Sequence, residues 1–445
     1  MDKVGSASSS LTEVQHHQCI NVVHDIQEKL EKLEPPVSVE CCIYKVPDYL
    51  RKSKGEHYTP QIISIGPFHQ NNPKLETMEH HKNPMFQTME QRKLRYLKYF
   101  MQRAYCLEGL VSTIKDCEES VRHFYAETID LGSDEFVKII LVDAIFILEL
   151  FWRYNYNDWT SDDNGATLEP WLTSAIRSDL ILLENQLPFF VLEKLFNVAL
   201  KHDPQYSPLL FQVITFNYFQ FYNTQNISPK RDFKIKHFLD LLRTFWLPDP
   251  YQNLPKRSPT AVTHLYTATQ LHEAGLVFKP VSSRSCLFDI KFRKGVLEMP
   301  PLTLDNSSES LYRNLLALEQ CHYPNEAYIT DYFILLGFLI STSKDVNLLV
   351  RKGVVVNLLA NKDAAKTLVN NLVTNIIYAD MNNVYSEACN GLKAFYDKPW
   401  HSWKATLRRE YFSTPWRIVS TIAAVILLVL TLLQTGYTMI PQKEC

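Results

Sequence analysis

Two apolar stretches of this chain carry carboxylates where carboxylates are costly. LVDAIFILEL (Leu141–Leu150) holds Asp143 and Glu149, and SDLILLENQLPFF (Ser178–Phe190) holds Asp179 and Glu184. A desolvated carboxyl has a raised pKa and can serve as a general acid or base near neutrality. His69 follows Ile65-Gly66-Pro67-Phe68 at the end of a possible strand, where functional loops often lie. Together His69, Asp143, Glu149, Asp179 and Glu184 are the candidate acid–base residues, and catalysis requires at least two of the carboxylates to converge in a closed pocket. The same residues also have a structural reading. Ser178 or Asp179 can cap a helix, Glu149 faces Arg153 at i,i+4, and Glu184-Asn185-Gln186 can cap the segment broken by Pro188. His69 then stabilises a turn, His237 and Asp240 pair at i,i+3 on one helix, and His264 is structural.

Other chemistries lack their hardware. There are 12 glycines, and the two nearest, Gly55 and Gly66, stand eleven apart. No G-x-G-x-x-G, Walker loop or G-x-S-x-G elbow can exist at that spacing, so no nucleotide or other cofactor is expected. His272-Glu273 begins H-E-x-x, but Leu276 stands where the second zinc ligand belongs, and no metal site is expected. Lys+Arg 46 against Asp+Glu 48, with no long run of like charge, argues against nucleic-acid binding. Nine cysteines, single except for Cys41-Cys42 and without C-x-x-C, fit buried thiols in a reducing compartment.

The elements that must position these residues are mostly helical. With 46% hydrophobic residues, 12% aromatic and 21% charged, the 445-residue chain can bury a large core. Residues 1–10 read as a disordered tail without the apolar region of a signal peptide. Residues 11–34 read as an amphipathic helix ended by Pro35-Pro36. FVKIILVDAIFILELFW (Phe136–Trp152) reads as a buried core helix, and Ser178–Phe196 as helix with a kink or restart at Pro188. Phe288, Ile290 and Phe292 alternate with charged residues, Arg293-Lys294-Gly295 offers a turn, and AGLVFKP upstream can pair with this strand. The expected architecture is mainly α: one large α-helical domain over residues 37–400 with a small antiparallel β-sheet, plus a C-terminal transmembrane helix.

That last helix is read from IVSTIAAVILLVLTLLQTGYTMI, Ile418 to Ile440, which carries no charge and reaches about 34 Å as a helix. Residues 401–417 form a basic and aromatic juxtamembrane segment, and residues 441–445 a short tail. Lys398, Lys404, Arg408, Arg409 and Arg417 precede the span and only Lys443 follows it, which places the large N-terminal part in the cytosol. The expected partners are therefore a lipid bilayer, met by Ile418–Ile440 in the manner of single-pass tail-anchored proteins, and a protein bound by the soluble domain.

The ordered set CIYKVP (Cys42–Pro47), YTPQIISIGPFH (Tyr58–His69), LVDAIFILEL, SDLILLENQLPFFVLEKLF, KHFLDLLR (Lys236–Arg243), TQLHEAGLVFK (Thr269–Lys279) and LYRNLLALEQ (Leu311–Gln320) resembles the plant family carrying domain of unknown function 247. The resemblance covers nearly the whole chain from about Cys41. It implies a plant origin, an α-rich domain and a C-terminal membrane anchor, and it implies no established enzymatic activity. Some relatives are linked to pollen-side self-incompatibility and others to stress or defence, which points toward membrane-associated recognition or signalling. The rival expectation is a tail-anchored enzyme of specialised metabolism built on the acid–base residues above.

Two features depart from the family pattern. His69 is followed by Gln70 rather than by a second histidine, and Thr-Met-Glu-x-x-Lys occurs twice, at Thr77–Lys82 and Thr88–Lys93. The second copy has the look of an eleven-residue insertion, close to three helical turns, which offers the same helical face again about 16 Å further along. Asn83-Pro84 between the copies reads as a cap and a helix start. Each Glu–Lys pair is expected at the edge of the core, with the lysine stem reaching outward and the pair contributing well under about 1 kcal/mol.

Overall fold

The computed structural model describes residues 22–31, 38–52, 54–70, 84–103, 106–159, 168–201, 207–248, 254–258, 262–281, 286–377, 380–400, 403, 406–407, 411 and 415–438. The chain divides into two compact units, residues 1–41 and residues 42–445. In the first, residues 22–31 are helical and exposed along their whole length. The expected tail at residues 1–10, residues 160–167 and the first Thr-Met-Glu-x-x-Lys copy lie outside the described residues.

The second unit is mainly helical with a small mixed sheet. Its helices used below are α1 (Pro84–Arg103), α2 (Ser133–Tyr156), α3 (Pro170–Asp179), α4 (Phe189–Leu200), α5 (Phe238–Trp246), α6 (Ser308–His322), α7 (Tyr328–Leu339) and α8 (Pro415–Thr438). The apolar run around Phe136–Trp152 becomes α2, which is buried on all sides from Phe136 to Arg153 except at Lys138, Ile139 and Val142. A helix apolar all round has no solvent face to lose, so it sits at the centre, and α1, α4, Leu107–Lys115 and Leu210–Tyr218 pack around it. Asp134 and Glu135 in its first turn face the positive end of the helix dipole, and Asn157 closes its last turn in the left-handed conformation, φ 51°. Phe151 stacks on Tyr218 at 4.2 Å and tilts against Phe238 at 5.3 Å, tying α5 to this centre.

Helix α1 begins at Pro84, as Asn83-Pro84 suggests. It lays Met89, Lys93, Tyr96 and Phe100 against the core at spacings of four, three and four. Lys93 is therefore not at the core's edge, as expected from sequence, but at a fully buried position in an otherwise apolar stripe. Its pair with Glu90 exists, at 2.6 Å, but the second partner that draws the ammonium inward is Asp143 on α2. Helical spacing alone showed the stripe; the partner across the helix pair lies fifty residues away.

The predicted hairpin is present. Strands β2 (Lys291–Arg293) and β3 (Val296–Met299) pair antiparallel around Lys294-Gly295, both with positive φ (48° and 77°), the two-residue turn that matches strand twist. The upstream segment does pair with it, but β1 (Val277–Pro280) runs parallel to β3, so the sheet is mixed, in the order β1-β3-β2, rather than antiparallel. Alternation in a sequence assigns faces and leaves strand direction open. A second pair, β4 (Leu302–Leu304) with β5 (Val355–Asn357), is also parallel.

At the C-terminus, Pro415–Gly436 of α8 is long and apolar enough to cross a membrane, and none of it is buried. It covers the expected span from Ile418 onward; residues 439–440 lie outside the described residues.

Candidate functional site

Two of the candidate residues, Asp143 and Asp179, converge on one stretch of backbone, Gln61–Gly66, which is exposed at Gln61, buried from Ile63 on, and has little regular pairing of its own. Buried backbone groups must find partners, and side chains supply them here. Helix α3 ends at Asp179, so neither Ser178 nor Asp179 is the N-cap expected from sequence. The Asp179 carboxylate instead accepts the backbone N–H groups of Gln61 (3.0 Å), Ile62 (2.6 Å) and Ile63 (2.9 Å). Residues 180–188 turn back irregularly and α4 restarts after Pro188. Within that turn Asn185 accepts from the Ile65 N–H at 2.7 Å and donates to the carbonyls of Ile63 and Asp179, each at 3.0 Å. Gln186 donates to the carbonyls of Leu180 and Leu182 and accepts the Phe238 N–H at the start of α5. The expected cap of the segment after Pro188 is thus made to a different helix.

Asp143 accepts the Gly66 N–H at 2.8 Å and pairs with Lys93 at 2.7 Å. Lys93 also donates to the Ser64 carbonyl at 2.6 Å, so with Glu90 its three donors have three acceptors. Burial pushes the Asp143 carboxyl up to about 6 against the pull of the Lys93 ammonium and the Gly66 N–H, and both partners of the pair are charged at pH 7. Glu149 is held by Arg153, as expected, at 2.7 Å, and by Arg103.

Gly66 has φ 74°, and a Cβ there would stand 2.8 Å from the Gln186 carbonyl oxygen and 3.1 Å from the Tyr125 hydroxyl. Gly66→Ala is expected to lower the unfolding free energy by about 2–3 kcal/mol, read as a drop in the urea midpoint. A change below about 0.5 kcal/mol would mean that the lock is slack. Burial also pushes the Asp179 carboxyl up to about 6, outweighing the three backbone N–H groups that favour its ionised form. Between the unfolded value of about 3.9 and the folded value the native chain holds the extra proton, so this group's contribution to stability falls as pH rises and is flat above about 6. The stability of the native chain minus that of Asp179→Asn should follow that curve in urea titrations at stepped pH. A difference that rises over the same window would show the N–H groups winning over burial.

Glu184 is the one of the four carboxylates that reaches a cleft, of about 600 Å3, shared with Lys45, Asp48, Arg51, His69 and Glu127. It accepts the Val46 N–H at 2.7 Å, pairs with Arg51, and has His69 Nε2 at 3.1 Å from its second oxygen. Burial alone would raise the Glu184 pKa, but these contacts from His69, Arg51 and Val46 hold it below the usual carboxylate value. His69 is 5% exposed, its Nε2 is poorly aligned toward Glu184, and its Nδ1 has no hydrogen-bond partner among the described residues. Lys45 and Glu127 pair at 2.5 Å on the rim.

Asp143, Asp179, Glu149 and Glu184 thus occupy separate ion pairs and backbone clamps and do not meet in one closed pocket. His237 caps α5, accepting the Asp240 N–H at 3.3 Å, with Nε2 3.1 Å from the Cys42 carbonyl; burial lowers its pKa to about 4 and keeps it neutral. His264 is exposed and makes a T-shaped contact with Tyr266. Among the described residues no group of three potential ligands is placed to hold a metal ion. Three further buried acids escaped the sequence reading, Asp345 in the capping box it forms with Thr342 and two others within apolar helices. Glu319 accepts from Arg243, Ile329 and Thr330, and Asp331 joins Arg257 to Asn382. Both sit in apolar runs, LYRNLLALEQ and DYFILLGFLI, the signal that marked Asp143 and Glu149.

The chain matches the family DUF247, described as "Plant protein of unknown function", over residues 43–430. It belongs to this family. UPF0481 protein At3g47200 of Arabidopsis thaliana is 28% identical, the match covering 92% of this chain and 88% of that protein. Putative UPF0481 protein At3g02645 of the same plant is 24% identical, with 93% of each chain covered. No solved structure matches the chain. The match runs through the Asp143, Asp179 and Glu184 segments and into α8. In this DUF247 chain two of the stretches that carried the resemblance, LVDAIFILEL and SDLILLENQLPFFVLEKLF, are the ones that pin Gln61–Gly66.

Proposed function

We propose that this DUF247 protein is a membrane-anchored recognition or signalling module, held by α8 and acting through protein contacts of its cytosolic helical domain. The observation that carries the reading is α8: Pro415–Gly436 is apolar, is wholly unburied, and follows a domain whose other long apolar helices are buried. Water tolerates so large an exposed apolar surface poorly, and a bilayer accommodates it. The charges preceding it favour a cytosolic domain. Proximity labelling with the full chain should recover proteins that a control carrying only residues 401–445 does not. Identical sets from both would sink the reading.

With the four carboxylates apart, the enzyme reading built on two of them falls; a narrower second reading, a membrane-bound enzyme using His69 and Glu184 as acid and base, draws on one observation, the unpartnered Nδ1 of a buried histidine beside a cleft. Incubating the full chain with a small-molecule extract of its tissue, against a His69→Gln control, tests it by mass spectrometry. The enzyme reading expects a conversion that the variant loses, and no difference between the two removes it.

A further inference from the structure

A second cavity, of about 340 Å3, shares no lining residue with the His69 cleft. Its volume lies within the range of sites that enclose small molecules. Its walls are the aromatic side chains of Tyr222, Trp246, Tyr312 and Tyr332 with Leu302 and Leu311, contributed by α5, α6, α7, β4 and the short helix Gln220–Tyr222. Such walls are set by packed helices and a strand, with Pro300-Pro301 stiffening the approach to β4.

Two features narrow what could fill it. Tyr332 is 1% exposed, yet its hydroxyl has no hydrogen-bond partner among the described residues, whereas the neighbouring Tyr312 hydroxyl donates to the Thr303 carbonyl at 2.8 Å. That hydroxyl is not sealed away but opens on the cavity, so an acceptor placed there, shielded from solvent by the aromatic walls, gains more than it would in water. The lining also lacks lysine, arginine and histidine, and its one carboxylate is already engaged. Asp305 Oδ1 accepts the N–H groups of Ser307 and Ser308, each at 2.9 Å, and caps the positive end of α6. The cavity therefore offers no uncompensated charge of either sign.

We infer that this aromatic cavity binds a small uncharged molecule, largely apolar, that presents one hydrogen-bond acceptor to the Tyr332 hydroxyl. Three phenyl-bearing probes of similar size separate the terms: 4-phenyl-2-butanone supplies an acceptor, butylbenzene none, and 3-phenylpropionate a charge. Each is titrated calorimetrically into the full chain in lipid nanodiscs, with empty nanodiscs subtracted so that only saturable binding is read. The ketone should bind saturably and more tightly than butylbenzene, and the carboxylate should show no saturable binding. Tyr332→Phe should weaken the ketone by roughly three- to tenfold and leave butylbenzene unchanged. The same variant should unfold no more easily than the native chain, because the group removed is unpaired there, and this separates a ligand contact from a structural one. Ketone heats that match empty nanodiscs would overturn the inference. Equal effects of Tyr332→Phe on ketone and hydrocarbon, or saturable binding of the carboxylate, would overturn it too.

Discussion

Replacing Lys93 by methionine lowers the unfolding free energy by about 3–5 kcal/mol, the usual cost of removing one partner from a buried ion pair. Methionine fills most of the lysine volume, so the loss is electrostatic rather than a cavity. Asp143 is left as an uncompensated carboxylate, and the Ser64 carbonyl loses its donor. Two controls identify the mechanism. Asp143→Asn in the Lys93→Met background should recover most of the loss, because the amide oxygen still accepts the Gly66 N–H and carries no charge. The penalty of Lys93→Met should also shrink as pH falls toward about 6 and be flat below it, because Asp143 without the Lys93 ammonium takes up its proton above the native value. Urea midpoints at pH 7 and pH 5 measure both. A loss under about 1 kcal/mol at pH 7 would return Lys93 to the core edge where sequence placed it.

Asp179→Ala is expected to cost about 2–5 kcal/mol. The Ile62 and Ile63 N–H groups are left without an acceptor in the interior, while Gln61 is exposed and can turn to water. Because Gln61–Gly66 also leads into the His69 turn, the loosened backbone should be visible locally. Amide hydrogen exchange in Ile62–Gly66 should accelerate by at least tenfold in Asp179→Ala, with α7 unaffected. Uniform acceleration across the domain would mean that Asp179 holds the fold as a whole rather than this segment. Unchanged exchange in both places would contradict the clamp.

The helical class, the central helix, the hairpin turn at Lys294-Gly295 and the C-terminal apolar helix could be read from the chain because each is a local pattern. Period, turn chemistry and unbroken hydropathy act within a window of some twenty residues. The carboxylates were equally visible as charges in apolar runs, but their employment was not. Asp179 serves a segment more than a hundred residues upstream, Asp143 meets Lys93 from another helix, and Glu184 joins Arg51 and His69. The Glu149–Arg153 pair, four residues apart on one helix, and the Glu90–Lys93 pair, three apart on another, were legible in advance, since helical spacing alone brings them together. Strand direction failed for a related reason: β1 reaches β3 through the intervening strand β2, and alternation does not record which way a partner runs.

Whether the folded domain is held at the cytosolic face of a membrane is decided most directly by protease protection. Microsomes containing the full chain with an epitope at Met1 are washed with alkaline carbonate in one aliquot and treated with protease, unopened, in another. The chain should stay with the carbonate-washed membranes, lose that retention when α8 is deleted, and have its Met1 epitope digested in unopened vesicles. Release by carbonate would contradict anchoring by α8, and an epitope protected until detergent is added would place the domain on the opposite side.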